Sequence, residues 1–306
     1  MKNTGRPKWA PASERRCAIN SFLSWVGGKK ALRDEILLRF PPDYERYAEV
    51  FGGAGWVLFH KPPCEFEVFN DQNQDLVNLY RCVRERPEAL IAELEYSLNA
   101  RADFTILKER MKAPHAMTDV HRAAAFFQLV RYSYASNLRS FGGTPHSMWD
   151  AFPPIRECCG RLQRVVIENK DYADFIRIYD RPDTLFFCDP PYYEAEKYYG
   201  GVSFTRSDHE RLRDILLSIS GMFLLSYNDC PEIISLYSRP GIMIESISRL
   251  SNIAQRYEGG RKYAELLIAN YDMASCPNYQ LTLPGLPYGG PGAESLLAER
   301  KVVYHG

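Results

Sequence analysis

The chain has 306 residues, of which 45% are apolar and 13% aromatic, and its 38 basic side chains are balanced by 38 acidic ones. This composition is typical of a globular protein with a substantial core, and it excludes fibrous, disordered and small disulfide-stapled proteins. No apolar run approaches the roughly 20 residues of a membrane-spanning helix, and the polar, basic amino terminus lacks a signal-peptide pattern, so we expect a cytoplasmic protein without membrane attachment.

Eight cysteines are spread along the chain without the paired spacing or the neighbouring histidines that build zinc sites. Isolated cysteines commonly behave as small apolar side chains. We therefore predict free, mostly buried thiols and no metal site.

The first half of the chain begins with two strand-and-helix units. Residues 46–51 predict a strand that ends in a glycine turn at residues 52–55, followed by an apolar helical segment. Residues 66–69 predict a second strand, which delivers Asp71 at its carboxyl end, and helical spacing resumes at Asp75. Such units predict an α/β fold with a mostly parallel, doubly wound, Rossmann-like sheet.

A different pattern fills the middle of the chain. Residues 87–98 and 121–134 have helical spacing, and a polar loop follows at residues 136–146. We interpret this region as an inserted, mainly helical subdomain. The predicted organisation is a sheet-containing domain in two parts, 17–84 and 162–275, an insertion at 85–161, and a Pro- and Gly-rich surface tail at 276–306.

Sheet patterns return after the insertion. Further strands are predicted at residues 165–167, 185–187, 223–225 and 264–269. Residues 207–219 predict a capped amphipathic helix. The second part of the sheet-containing domain therefore completes the sheet.

The glycine turn and the acidic residue after the second strand suit a nucleoside ligand. Glycines let the backbone approach a ligand closely, and Asp71, ending the next strand, is placed to accept both hydroxyls of a ribose. A turn that serves only the chain geometry is an open alternative, because the glycine pattern is incomplete. A P-loop is disfavoured, since Gly28-Lys29 is followed by Lys30 and not by Ser or Thr.

The most specific signal is Asp189-Pro190-Pro191-Tyr192, directly after an apolar strand. The two prolines hold a rigid, extended turn and leave the carbonyls of Asp189 and Pro190 free to accept hydrogen bonds. Two fixed acceptors suit an aromatic amino group, and the tyrosine ring can stack on the base that carries it. The alternative is a strand-ending turn with a packed tyrosine.

Four segments in this order resemble the Dam-type DNA adenine-N6 methyltransferases: Phe22–Lys29, Glu49–Gly55, Asn70-Asp71 and Asp189–Tyr192. In that family an amino-terminal motif, the glycine turn, a DNA-recognition insertion and the Asp-Pro-Pro-Tyr turn follow one another. The resemblance covers residues 20–271. It implies transfer of a methyl group from S-adenosylmethionine to the N6 of an adenine flipped out of duplex DNA.

The resemblance also implies roles for single residues. Asp189 and the Pro190 carbonyl would hold the amino group, Tyr192 would stack on the adenine, Lys29 would face the donor's carboxylate, and Glu49 would lie near its amino group. The residues implied in donor binding are Trp25, Lys29, Glu49, Phe51, Gly52, Gly53, Ala54, Asp71, Asp171, Tyr172 and Asp189.

The insertion would contact DNA through Arg131, Tyr134, Asn137, Arg139 and Ser140, with Ser24 beside it. Members that read GATC usually have Lys in place of Ser24, so the short hydroxyl here argues against GATC specificity. A cognate restriction endonuclease is a further expected partner, and the sequence leaves the oligomeric state open. Two alternatives remain: methylation of adenine in structured RNA, and a non-catalytic nucleic-acid-binding protein with the same fold.

Overall fold

The computed structural model describes residues 18–194, 204–250, 262–276 and 302–303. These residues form one sheet, whose strands are β1 (Arg46–Glu49), β2 (Phe66–Asn70), β3 (Val165–Glu168), β4 (Thr184–Cys188), β5 (Met222–Asn228), β6 (Met243–Leu250), β7 (Lys262–Ala269) and β8 (Val302–Val303). Their order across the sheet is β3-β2-β1-β4-β5-β7-β6-β8. The first five strands pair in parallel, whereas β7 runs antiparallel to both β5 and β6.

The parallel half confirms the predicted strands. Every residue of β4 is buried, because helices cover both faces of the sheet, and this explains its uninterrupted apolar run. The first strand is two residues shorter than predicted, since β1 ends at Glu49 and the chain then enters the glycine turn.

Helices pack on both faces of the sheet, as a doubly wound fold requires. They are α1 (Arg33–Leu38), α2 (Trp56–His60), α3 (Gln74–Glu85), α4 (Pro87–Glu95), α5 (Arg101–Arg110), α6 (Asp119–Tyr132), α7 (Phe152–Leu162), α8 (Tyr172–Tyr179), α9 (Arg206–Leu216) and α10 (Pro231–Tyr237). One apolar cluster includes α2, α3, α4, α6 and α7, and a second includes α8, α9 and α10. The α/β fold class is therefore confirmed.

The inserted helices share their core with the sheet. The helix predicted at residues 121–134 is α6, and its Phe127 ring stacks on Phe22 with centroids 6.2 Å apart. Both side chains belong to the apolar cluster that also contains Leu185 of β4. The helices of the predicted insertion therefore pack onto the sheet through one continuous apolar cluster.

The carboxyl-terminal part adds an antiparallel edge. β6 had no predicted counterpart, and β8 pairs with it inside the segment predicted to be a tail. The rest of that predicted tail beyond Cys276 lies outside the described residues.

Two further expectations concern the whole chain. The seven cysteines among the described residues are free and four of them are buried, as predicted. Within the same residues, no helix combines the length and the apolar character that crossing a membrane requires.

Candidate active site

One cavity opens at the carboxyl ends of β1 and β4, where the strand order of the sheet reverses. Open α/β sheets bind ligands at such a switch point. We call it the central cavity. Nine of the eleven residues implied in donor binding line it: Trp25, Lys29, Glu49, Phe51, Gly52, Gly53, Ala54, Asp71 and Asp189.

The glycine turn brings backbone and a fixed carboxylate to this cavity. Gly53 has a φ of 50°, which favours glycine, and a Cβ on Gly52 would come within 2.1 Å of the Phe69 ring. The Gly53 N–H donates to Asp71 Oδ2 at 2.9 Å, and the Asn73 N–H donates to Asp71 Oδ1 at 2.8 Å. Glycine at position 52 allows the turn to lie this close to β2. The Gly53 N–H then helps to orient the Asp71 carboxylate.

Asp189 is held on one side by two donors. Its Oδ1 accepts from Lys29 Nζ at 2.6 Å and from Ser226 Oγ at 2.8 Å. Burial raises the pKa of Asp189, and both donors act in the opposite direction. Its Oδ2 has no partner among the described residues, so this oxygen is available to a ligand.

Tyr192 is fixed at both its hydroxyl and its ring. The hydroxyl donates to Glu265 Oε2 at 2.7 Å, and Lys29 Nζ lies 4.7 Å from the ring centroid. The same ammonium is 3.9 Å from Glu265 Oε2. Lys29 therefore lies between the Asp189 carboxylate and the Glu265 carboxylate, beside the tyrosine ring.

Glu49 is a buried carboxyl group facing the central cavity. Its Oε2 accepts from the Tyr47 hydroxyl at 2.7 Å and from the Leu58 N–H at 2.9 Å. Burial raises its pKa to about 8, although these two hydrogen bonds act in the opposite direction. Burial thus favours the protonated form of Glu49.

Two residues implied in donor binding lie away from the lining of the cavity. Asp171 accepts from Arg211 at 2.8 Å and caps α8. Tyr172 packs its ring 5.5 Å from that of Phe51, and Phe51 itself lines the cavity. Tyr172 therefore supports the cavity wall from behind.

A second cavity, which we call the groove, contains part of the predicted DNA-binding set. Ser24, Arg131 and Tyr134 line it together with Ser136 and His146, and Ser136 also lines the central cavity. Tyr134 is 53% exposed. Arg131 donates to the Ser147 carbonyl at 2.6 Å, and burial lowers its pKa.

The remaining predicted DNA-binding residues form a tight turn between the two cavities. Asn137 Oδ1 accepts from the backbone N–H groups of Arg139 and Ser140, at 2.8 and 3.3 Å. Asn137 also lines the central cavity. Arg139 and Ser140 are exposed, and Lys108 Nζ donates to the Arg139 carbonyl at 2.7 Å.

The motifs did not assign roles to Ser226 and Glu265, although both touch the Asp-Pro-Pro-Tyr turn. Ser226 is fully buried and Glu265 is 2% exposed. A buried carboxylate in an apolar strand pattern was the available signal, because burying a charge is costly without a partner. The partner itself lies 73 residues away in sequence.

The chain is similar to known proteins over most of its length. Residues 25–253 match the family described as D12 class N6 adenine-specific DNA methyltransferase. The chain is 26% identical to the type II methyltransferase M1.LlaDCHI of Lactococcus lactis subsp. cremoris, over 83% of this chain and 96% of that protein. It is 25% identical to a DNA adenine methylase of Haemophilus influenzae, over 80% and 92% of the two chains. For a DNA adenine methylase of Vibrio cholerae the identity is 26%, over 81% and 94%.

Proposed function

Since the chain belongs to the D12 class of N6 adenine-specific DNA methyltransferases, it is an enzyme that methylates adenine in DNA, and we propose that S-adenosylmethionine is its donor. This family membership sets aside the RNA and non-catalytic alternatives. The observation that supports the proposal is that the central cavity contains the residues of the glycine turn, Asp71 and Asp189 in one continuous wall.

The charges of the central cavity suit a cationic donor. Lys29 is the positive partner of Asp189 and Glu265, so the three groups together carry one net negative charge when ionised. S-adenosylmethionine, when bound, supplies an electrophilic methyl group on a positively charged sulfonium. Trp25 and Phe51 add aromatic surface, which attracts cations and adenine rings alike.

We assign the polar ends of the donor to three residues. Asp71 receives the ribose hydroxyls, since a carboxylate that accepts two backbone N–H groups still has acceptor positions left. Glu49 receives the amino group. Lys29 uses two of its three N–H bonds on Asp189 Oδ1 and the Gly27 carbonyl, at 2.6 and 3.0 Å, which leaves one for the donor carboxylate.

The target adenine is placed against the turn that follows β4. Asp189 Oδ2 and the Pro190 carbonyl accept the two hydrogens of the amino group, Pro191 keeps the turn rigid, and the Tyr192 ring stacks on the base. This arrangement directs the nitrogen lone pair out of the ring plane and places a carboxylate oxygen where the amino proton leaves. Most of the acceleration then comes from positioning and fixed dipoles.

Recognition of DNA is assigned to the insertion, residues 85–161, and to Ser24. The groove adjoins the central cavity through Ser136, so a base flipped into the cavity has its neighbours at the groove. Arg131 and Tyr134 face those neighbours, and Asn137, Arg139 and Ser140 approach the strand that carries the flipped base. With Ser24 in the groove, we propose a recognition sequence other than GATC.

A methylation assay with mapping of the product tests this function. We expect label from S-adenosylmethionine on adenine of unmethylated duplex DNA, with structured RNA unlabelled. Asp189→Ala should lower the rate by about a hundredfold or more, because it removes an oriented acceptor from the reacting amine. A parental rate in this variant contradicts the catalytic assignment, and label only on RNA contradicts duplex DNA as the target.

Two finer proposals follow from the substrate. We propose that the enzyme acts in the cytoplasm, and that it protects DNA from a cognate restriction endonuclease, as the name of the Lactococcus relative suggests for that protein. Extracts of the source cells should then cut unmethylated DNA at the mapped sites and leave methylated DNA intact. Equal cutting of both contradicts the pairing.

A further inference from the structure

Three polar side chains on β5 and β7 point to one face of the sheet. Ser226 and Asn228 are two residues apart on β5, so they share a face, and Glu265 of β7 pairs directly with Asn228. We call these three residues the polar row. Each bonds a different residue of the turn after β4: Ser226 to Asp189, Glu265 to Tyr192 and Asn228 to Tyr193.

The polar row holds the chain from Asp189 to Tyr193. Asn228 binds Tyr193 twice, since its Oδ1 accepts from the Tyr193 N–H at 3.1 Å and its Nδ2 donates to the Tyr193 carbonyl at 3.3 Å. Two of the three contacts, those of Ser226 and Glu265, reach the side chains assigned to the target base. The row therefore fixes side-chain orientation and not only the backbone of the turn.

Glu265 is the charged member of the polar row. A hydroxyl hydrogen bond from Tyr192 requires only a neutral acceptor, yet the chain buries a carboxylate here, at 2% exposure. Glu245 of β6 offers a comparison: it is equally buried, and its carboxylate is held in a two-point pair by Arg39, at 2.6 and 2.7 Å, away from the central cavity. Glu265 instead faces an ammonium that already binds Asp189.

We propose that Glu265 is a positioning residue for methyl transfer. Through the Tyr192 hydroxyl it fixes the ring on which the target base stacks, and through Lys29 it sets the orientation of the Asp189 carboxylate. Loss of a group that aligns the reacting atoms lowers kcat, because misalignment in the bound complex raises the activation free energy of methyl transfer. The inference rests on the proposed function, since the roles of Asp189 and Tyr192 belong to it.

Single and double substitutions test the coupling. Tyr192→Phe keeps the stacking ring and removes only the hydroxyl, and Glu265→Ala removes its acceptor. With saturating donor, we expect each to lower kcat about tenfold, the value of a hydrogen bond to a charged group, while the KM for DNA changes less than about threefold. The double variant should be no slower than Glu265→Ala alone. Fluorescence of 2-aminopurine at the target position should report weaker stacking in each variant.

Two further variants complete the design. Glu265→Gln keeps an acceptor for the Tyr192 hydroxyl but removes the charge, so its kcat should lie between those of the parent and Glu265→Ala. If Glu265→Ala does not fold, the kcat values of Glu265→Gln and Tyr192→Phe test the positioning role instead. Glu245→Gln is the matched control, expected to lower Tm and to leave kcat unchanged.

The possible outcomes separate the inference from the function. The positioning role is overturned if the losses in kcat multiply in the double variant. It is also overturned if Tyr192→Phe and Glu265→Gln both have the parental kcat. In both cases the parent is still an active methyltransferase. Failure of the parent itself to methylate DNA overturns the proposed function instead.

Discussion

With the donor's amino group assigned to Glu49, we expect this carboxyl group to release a proton when the donor binds. Burial raises its pKa to about 8, and its charged or titratable neighbours include Tyr47, Tyr80, Asp189 and Lys61. In the free enzyme at pH 7 it is therefore protonated. An ammonium beside it favours the carboxylate, so we expect binding of the donor's amino group to release this proton.

We expect the affinity for S-adenosylmethionine to increase with pH between 6 and 7.5, by up to about tenfold per unit. Raising the pH removes the proton that binding must otherwise expel. Calorimetric Kd values across this range measure the slope, and Glu49→Gln, which can still accept both hydrogen bonds, should flatten it. The same slope in the glutamine variant means that another group titrates.

Arg139 is an exposed cation two residues after Asn137, which lines the central cavity. Arg139→Ala should weaken DNA binding several-fold and reduce the slope of log affinity against log salt by about one, because one fewer phosphate is neutralised. Arg177→Ala on α8 is the control, since that side chain is 62% exposed and pairs with Asp174. If the slope of log affinity against log salt is unchanged in Arg139→Ala, Arg139 does not contact a DNA phosphate.

At the scale of elements, the glycine turn between β1 and α2 has no room for a side chain at Gly52. Gly52→Ala should destabilise the fold by about 1–3 kcal/mol and abolish donor binding, since its Cβ would overlap the buried Phe69 ring. Urea unfolding and donor Kd measure the two effects. Parental donor affinity in Gly52→Ala contradicts a close approach of ligand and turn.

Gly160→Ala in α7 is the matched control. Its added Cβ meets no neighbouring atom, so this substitution should stabilise the protein by about 0.5–1 kcal/mol.

The elements also show what a sequence pattern can predict. β4 and the turn after it were recognisable because their signals are local: an apolar run, then two prolines. β6 was not, because Glu245 interrupts its apolar pattern, and the partner that permits this buried charge is Arg39, 206 residues away. Likewise Asp189 was predicted from its motif, whereas its contact with Ser226 depends on how β4 and β5 pair.

At the scale of the whole molecule, the sheet and the helices of the predicted insertion are joined by one apolar cluster. Phe127 of α6 is 1% exposed and packs against Phe22, in the motif that precedes α1. The Trp25 ring of the same motif lies 5.8 Å from that of Phe126. Because Trp25 lines the central cavity, the helix α6 and the wall of that cavity rest on the same packed side chains.

This shared cluster predicts that the two parts unfold together. Tryptophan fluorescence, far-UV circular dichroism and donor binding should be lost in one coincident urea transition. Phe127→Ala should lower the free energy of unfolding by about 3–5 kcal/mol, because it leaves a cavity in the common core. All three signals should then be lost at a lower urea concentration. Ile106→Ala on α5, where the side chain is 50% exposed, should change stability by less than about 0.5 kcal/mol. If Phe127→Ala instead splits the transition, with donor binding surviving the first step, the insertion has a stability of its own and the domains are independent folding units.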